Sequence, residues 1–132
     1  MWFLSKDFRF EAAHRLARHD GKCARRHGHS FLGTITVAGD RLHDTGPKRG
    51  MIIDYADLSA ALGPLLEHYL DHWDLNETLG EFVEDPTSEA IAQWIYIRLR
   101  PILPSLVSVT IEETCTARCT YMPNYPPAFE PV

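Results

Sequence analysis

The sequence predicts an α+β domain, with an antiparallel four-stranded sheet covered on one face by two helices. Three observations carry this. Residues 2–14 and 27–41 alternate with period two, apolar residues recur at helical spacing from Asp54 and again from Thr87, and period two returns over 105–114. Two strands thus precede a helical pair and two follow it, the fourth being a short strand over Cys119–Met122.

In the first strand Phe8, Phe10, Ala12 and His14 share one face, and Asp7, Arg9 and Glu11 share the other, as a half-buried strand requires. In the second, Phe31, Gly33, Ile35 and Val37 oppose Leu32, Thr34 and Thr36. The Gly and Pro of "LHDTGPKRG" (42–50) make a loop. From Asp54, Leu58, Leu62, Leu65, Leu66 and Tyr69 form a helical stripe that Pro64 is expected to kink or divide. Thr87 is the N-cap of the second helix, Glu89 lies in its first turn, and Ile91, Trp94, Ile95 and Leu99 line its apolar face up to Pro101. In the third strand Val107, Val109, Ile111 and Glu113 fall on one side. The Pro-rich tail that follows the fourth strand reads as irregular.

The chain of 132 residues has the size of one domain, 1–132. A formal charge of −5 argues against general nucleic-acid binding, which needs a basic face. No apolar run is long enough to span a bilayer, and the N-terminus lacks the apolar region of a signal peptide. With three cysteines, an odd number, this points to free thiols in the cytoplasm.

Chemistry concentrates in "CARRHGHS", residues 23–30. His27 and His29 have the parity of Phe31, Ile35 and Val37, while His14 ends the inward face of the preceding strand. If the two strands form a hairpin, the three imidazoles converge, and Gly28 leaves the opposite face free of a side chain. Three neutral imidazoles are a zinc set whose fourth position stays open, the pattern of a catalytic site. Each histidine alone reads equally well as a hydrogen-bonded polar residue; His19, His43 and His68 stay unassigned. Cys23 is either a reactive thiolate, favoured beside a metal and cations, or an inert buried thiol. Arg15, Arg18, Lys22, Arg25 and Arg26 cluster around it, either to attract an anion such as a phosphate chain or as an ordinary solvated loop.

Two acidic positions complete the candidates. Parity turns Glu113 rather than Glu112 inward, where a carboxylate needs a partner and can accept two N–H bonds from a guanidine-like ring edge. Asp71 and His72 in "LDHWDLN" are adjacent and can form a proton relay, although the dipeptide alone is weak evidence. Cys115 and Cys119 have no nearby histidines and read as reduced structural thiols.

The motifs "FRFEAAHRL", "CARRHGHS", "GMIIDYADL", "LDHWDLN", "PTSEAIAQWI" and "EETCTARC", in this order, resemble the 6-pyruvoyltetrahydropterin synthase family over nearly the whole chain. The resemblance implies a T-fold, in which subunits join their sheets into a barrel, as hexamers built from two trimers with active sites between subunits. It implies that His14, His27 and His29 bind zinc, that Cys23 is the general base, that Asp71 and His72 form a relay completed across a subunit boundary, and that Glu113 holds the pterin ring. The implied substrate is 7,8-dihydroneopterin triphosphate. The short Cys23–His27 interval and "ETCTARC" are similar to the family's carboxy-forming branch, which yields 6-carboxy-5,6,7,8-tetrahydropterin, acetaldehyde and triphosphate for queuosine synthesis. The alternatives are the pyruvoyl-forming branch, which eliminates triphosphate without carbon–carbon cleavage, and a non-catalytic pterin- or metal-binding module.

Overall fold

Two long strands form the centre of the molecule. The computed structural model describes residues 1–123; the tail residues 124–132 lie outside the described residues. β1 (Trp2–His14) and β2 (His27–Gly39) pair antiparallel, from Trp2 opposite Gly39 to His14 opposite His27. β4 (Leu106–Thr114) continues the sheet antiparallel to β2, and β5 (Ala117–Tyr121) pairs with β4. The sheet has five strands rather than four, in the order β3-β1-β2-β4-β5. The additional one, β3 (Trp73–Asp74), runs parallel to Ala12 and Ala13, and two residues have no period to read. β2 stops at Gly39, short of the expected Arg41, where its ladder with β1 ends at Trp2.

Between β2 and β4 lie α1 (Tyr55–Leu65), α2 (Leu75–Thr78) and α3 (Ser88–Leu99). Asp54 caps α1 by accepting from the Ala56 N–H at 2.9 Å, and Thr87 caps α3 by accepting from Ala90 at 3.2 Å. Pro64 neither divides nor ends the helical run. It lacks an N–H for the ladder, and directly after α1 residues Leu66–Leu70 wind as a wider π-helical turn. The Asp71 N–H closes that turn on the Leu66 carbonyl at 2.8 Å.

α1 and α3 cover one sheet face. Leu58, Leu62 and Leu65 from α1, and Ile91, Ile95 and Leu99 from α3, are buried with Phe10, Phe31, Ile35, Val109 and Ile111 of the sheet. Each such side chain contributes about 1.5–3 kcal/mol by leaving water. Ala92 and Tyr96 are buried too, so the apolar stripe of α3 is wider than its four large residues suggest. Leu106, not Val107, is buried at the start of β4: the β2–β4 register slips between Thr36 and Val37, which shifts the parity there. Phe8 lies over Gly33, where a Cβ would come within 2.1 Å of its ring, and Phe10 stacks on Phe31 at 4.8 Å. The opposite sheet face is polar and cross-linked by side chains, Ser5 to Thr36 at 2.8 Å, Thr34 to Asp7 at 2.8 Å and Ser30 to Glu11 at 2.6 Å. None of the helices described is long and apolar enough to cross a membrane.

Candidate metal centre and active site

The aromatic core leads directly into the histidines. The Phe31 ring lies 5.3 Å from His29 and 5.7 Å from His14, an apolar floor beneath three imidazoles. Register puts His14 opposite His27, and parity puts His29 on the same side. The three ring centroids are 4.6–5.1 Å apart, and the rings offer ligand atoms that all lie within 4.8 Å of one another. Gly28 contributes little by close approach, since a Cβ there would meet the Ala12 carbonyl at an ordinary 3.6 Å.

Hydrogen bonds set two of the rings. His14 Nδ1 donates to the Pro86 carbonyl at 2.8 Å, and His27 Nδ1 donates to the Arg25 carbonyl at 2.7 Å. A carbonyl can only accept, so Nδ1 carries a proton in both rings and Nε2 is the atom each leaves for a metal. His14 Nε2 and His29 Nε2 are buried and have no hydrogen-bond partner. Burial, helped by the neighbouring His14 and His27, holds the His29 pKa below its ordinary value against the pull of Glu113. An imidazole set with two rings oriented through Nδ1 and two unpartnered Nε2 atoms suits zinc.

Cys23 sits in a single 3₁₀ turn, Lys22–Ala24, held in place where the Leu16 N–H donates to the Cys23 carbonyl at 2.8 Å. It faces a pocket of about 370 Å³ shared with Lys22, Arg25, Arg26, His27, His29 and Glu113. The arginine cluster is partly consumed by ion pairs: Arg18 meets Glu84 at 3.1 Å and also Asp85, and Arg26 pairs with Asp74. Lys22, Arg25 and Arg26 line the pocket, Arg26 while paired with Asp74.

Glu113 is in this pocket, with Oε1 3.1 Å from His14 Nε2 and 3.4 Å from His29 Nε2. Sequence reasoning turned it inward but gave no sign of this contact, which needs β4 to be placed against the end of the β1–β2 hairpin.

Asp71 and His72 open elsewhere. Asp71 Oδ1 accepts the Glu11 N–H at 2.9 Å and lies 3.0 Å from His72 Nδ1, while the His72 N–H donates to the Glu11 carbonyl at 2.6 Å. The Glu11 hydrogen bond, with a smaller contribution from His72, holds the Asp71 pKa below the usual carboxylate range. His72 has φ of 65°, a left-handed backbone that is strained for a residue with a side chain. Its exposed ring borders a hollow of about 490 Å³ that has only His29 in common with the Cys23 pocket. Sequence reasoning also missed the bolts on this segment. Asn76 accepts from the Arg15 N–H at 2.7 Å and donates to the Arg15 carbonyl at 2.9 Å, while Asp74 both caps α2 and holds Arg26. A hollow of about 790 Å³ beside Trp94 and Ile97 contains none of the candidate metal or catalytic residues.

Residues 3–124 match the profile of the family described as 6-pyruvoyl tetrahydropterin synthase. The chain is 52% identical over 122 residues to the 6-carboxy-5,6,7,8-tetrahydropterin synthase of Synechocystis sp., covering 92% of this chain and 93% of that protein. It is 34% identical over 130 residues to the protein of the same name from Bacillus subtilis, covering 92% and 85%. The fold superposes on the 6-pyruvoyl tetrahydropterin synthase of Caenorhabditis elegans with a TM-score of 0.78 at 28% identity, covering 92% and 94%.

Proposed function

The chain belongs to the 6-pyruvoyl tetrahydropterin synthase family, and on that premise we propose that it is the carboxy-forming lyase. It converts 7,8-dihydroneopterin triphosphate and one water to 6-carboxy-5,6,7,8-tetrahydropterin, acetaldehyde and triphosphate. The observation that carries this reading is the 52% identity, over 92% of the chain, to a protein named 6-carboxy-5,6,7,8-tetrahydropterin synthase.

His14, His27 and His29 would hold zinc, which suits their oriented lone pairs and the two orphaned Nε2 atoms. When bound, the ion supplies Lewis acidity toward the hydroxyls of the substrate side chain. Cys23 is the general base that takes a proton from a side-chain carbon, and Lys22 and Arg25 in the same pocket suit the departing triphosphate. Glu113 accepts the N–H edge of the pterin ring. His72, held by Asp71, returns or relays a proton; the Glu11 peptide that grips both residues fixes their orientation.

Because Cys23 and His72 of one chain open into different hollows, a complete site calls for His72 from a second subunit. This supports sites at subunit interfaces, and the assembly we propose is a homohexamer built as a dimer of trimers. The free thiols Cys23, Cys115 and Cys119 suit a reducing cytoplasm, where the product would enter queuosine synthesis.

The test is product analysis of purified, zinc-loaded protein given 7,8-dihydroneopterin triphosphate. Stoichiometric acetaldehyde with 6-carboxytetrahydropterin is the expected result. A pyruvoyl product without acetaldehyde assigns the other branch, to which the likeness to the Caenorhabditis elegans protein lends support, and pterin binding without turnover assigns a binding module.

A further inference from the structure

We propose that Glu113 is a displaceable fourth ligand of the metal centre, occupying the position that His14, His27 and His29 leave open until the substrate's side-chain oxygens replace it. The inference rests on the reading of those histidines as zinc ligands and gives Glu113 a role that precedes its contact with the pterin.

The distances from Glu113 to two of the three histidines fit a shared ion. With bonds of about 2.0–2.1 Å to nitrogen and oxygen, two ligands of one tetrahedral zinc stand about 3.3–3.4 Å apart. Glu113 Oε1 is 3.1 Å from His14 Nε2 and 3.4 Å from His29 Nε2.

A direct hydrogen bond does not explain the contact. Both Nε2 atoms lack a hydrogen-bond partner even with the carboxylate this close, so the oxygen lies within reach but out of line. His14 has already committed its Nδ1 proton to the Pro86 carbonyl, which leaves Nε2 as the ring atom available to a metal. A lone pair on that nitrogen and a carboxylate oxygen at this separation repel unless a cation joins them. Among the described residues, the ion pairs of Glu113 are with His14 and His29, and no lysine or arginine pairs with it.

The carboxylate can also leave. Its side chain is one-third exposed, and the β4–β5 register is irregular between Glu112 and Thr114, which frees Glu113 from the ladder. One side chain would then couple two events: the arriving pterin edge draws the carboxylate away, and the coordination position opens when the ring is in place.

The test uses the full chain loaded with Co²⁺ in place of zinc, comparing wild type, Glu113→Gln and Glu113→Asp. Chelator competition gives the Co²⁺ affinity, and visible spectra give the affinity for imidazole, an uncharged ligand that seeks the open position. Glu113→Gln should weaken Co²⁺ binding and strengthen imidazole binding, each by about tenfold or more. Glu113→Asp keeps the charge but not the reach, and should match Glu113→Gln toward imidazole; circular dichroism establishes that each variant is folded. Equal affinities in wild type and Glu113→Gln overturn the proposal and leave the zinc reading intact. So does a Glu113→Asp variant that behaves as wild type, because the carboxylate then acts through charge alone. Folded wild type that takes up no Co²⁺ overturns the zinc reading itself, and this inference with it.

Discussion

His14 and Pro86, seventy-two residues apart, meet where the imidazole Nδ1–H donates to the proline carbonyl at 2.8 Å. The bond joins the end of β1 to the loop before α3 and decides which nitrogen of a buried ring faces the site. With zinc at a hundredfold excess over its Kd, binding adds about 2.7 kcal/mol to folding stability. Chelation is therefore expected to lower the melting temperature of wild type while leaving His14→Ala unmoved. An equal response from the two proteins would remove His14 from the ligand set.

Cys23→Ala should retain metal and lose turnover by about 10²–10⁴-fold, the range for a general base. Metal content and single-turnover rates on the same preparation check this together. Undiminished turnover with metal bound takes the thiol out of the mechanism.

Subunit sharing gives a complementation result. Cys23→Ala and His72→Ala chains, each inactive alone, should regain part of the wild-type activity when unfolded together and reassembled. Mixed assemblies that stay inactive would mean that one chain supplies both groups.

Asp71 predicts a pH dependence. Its folded pKa is depressed, chiefly by the Glu11 N–H, so its contribution to stability is present above the unfolded value of about 3.9 and is lost as pH falls through the lower folded value. The urea stability difference between wild type and Asp71→Asn should shrink as pH falls from about 5 to about 3. A difference that grows on acidification contradicts the assigned direction.

Gly33→Ala places a methyl within 2.1 Å of the Phe8 ring. The ring cannot retreat into a packed core, and the cost should be about 1–3 kcal/mol in urea unfolding. Adding Phe8→Leu should recover part of it, and strict additivity of the two changes would argue against this contact.

What could be read in advance follows the range of each interaction. Alternation alone puts His14, His27 and His29 on one face, because parity is local and β1 and β2 are long enough to show it. The stripes of α1 and α3 are equally local. β3 has no period, and Val107 lost its parity to a slip in strand pairing. The charge cluster around Cys23 was visible, but not that Glu84, Asp85 and Asp74 engage Arg18 and Arg26, since those partners come from distant loops. The Pro86 carbonyl leaves no trace in a sequence, because every residue has one. Glu113 pointed inward on parity, yet its contact with two imidazoles depends on the spacing between strands that only the assembled sheet defines.

The turn at Leu66–Leu70 sets an angle as well as a path. Each helical residue advances the chain by about 100° around the axis, so one surplus residue in a hydrogen-bonded ring rotates everything downstream by that amount. It is this offset that delivers Asp71 and His72 to either side of the Glu11 peptide. An ordinary α turn of the same sequence would send the dyad off on a different bearing, so the widened coil beside Pro64 acts as an indexing joint whose single-residue deletion would mis-aim the pair it carries.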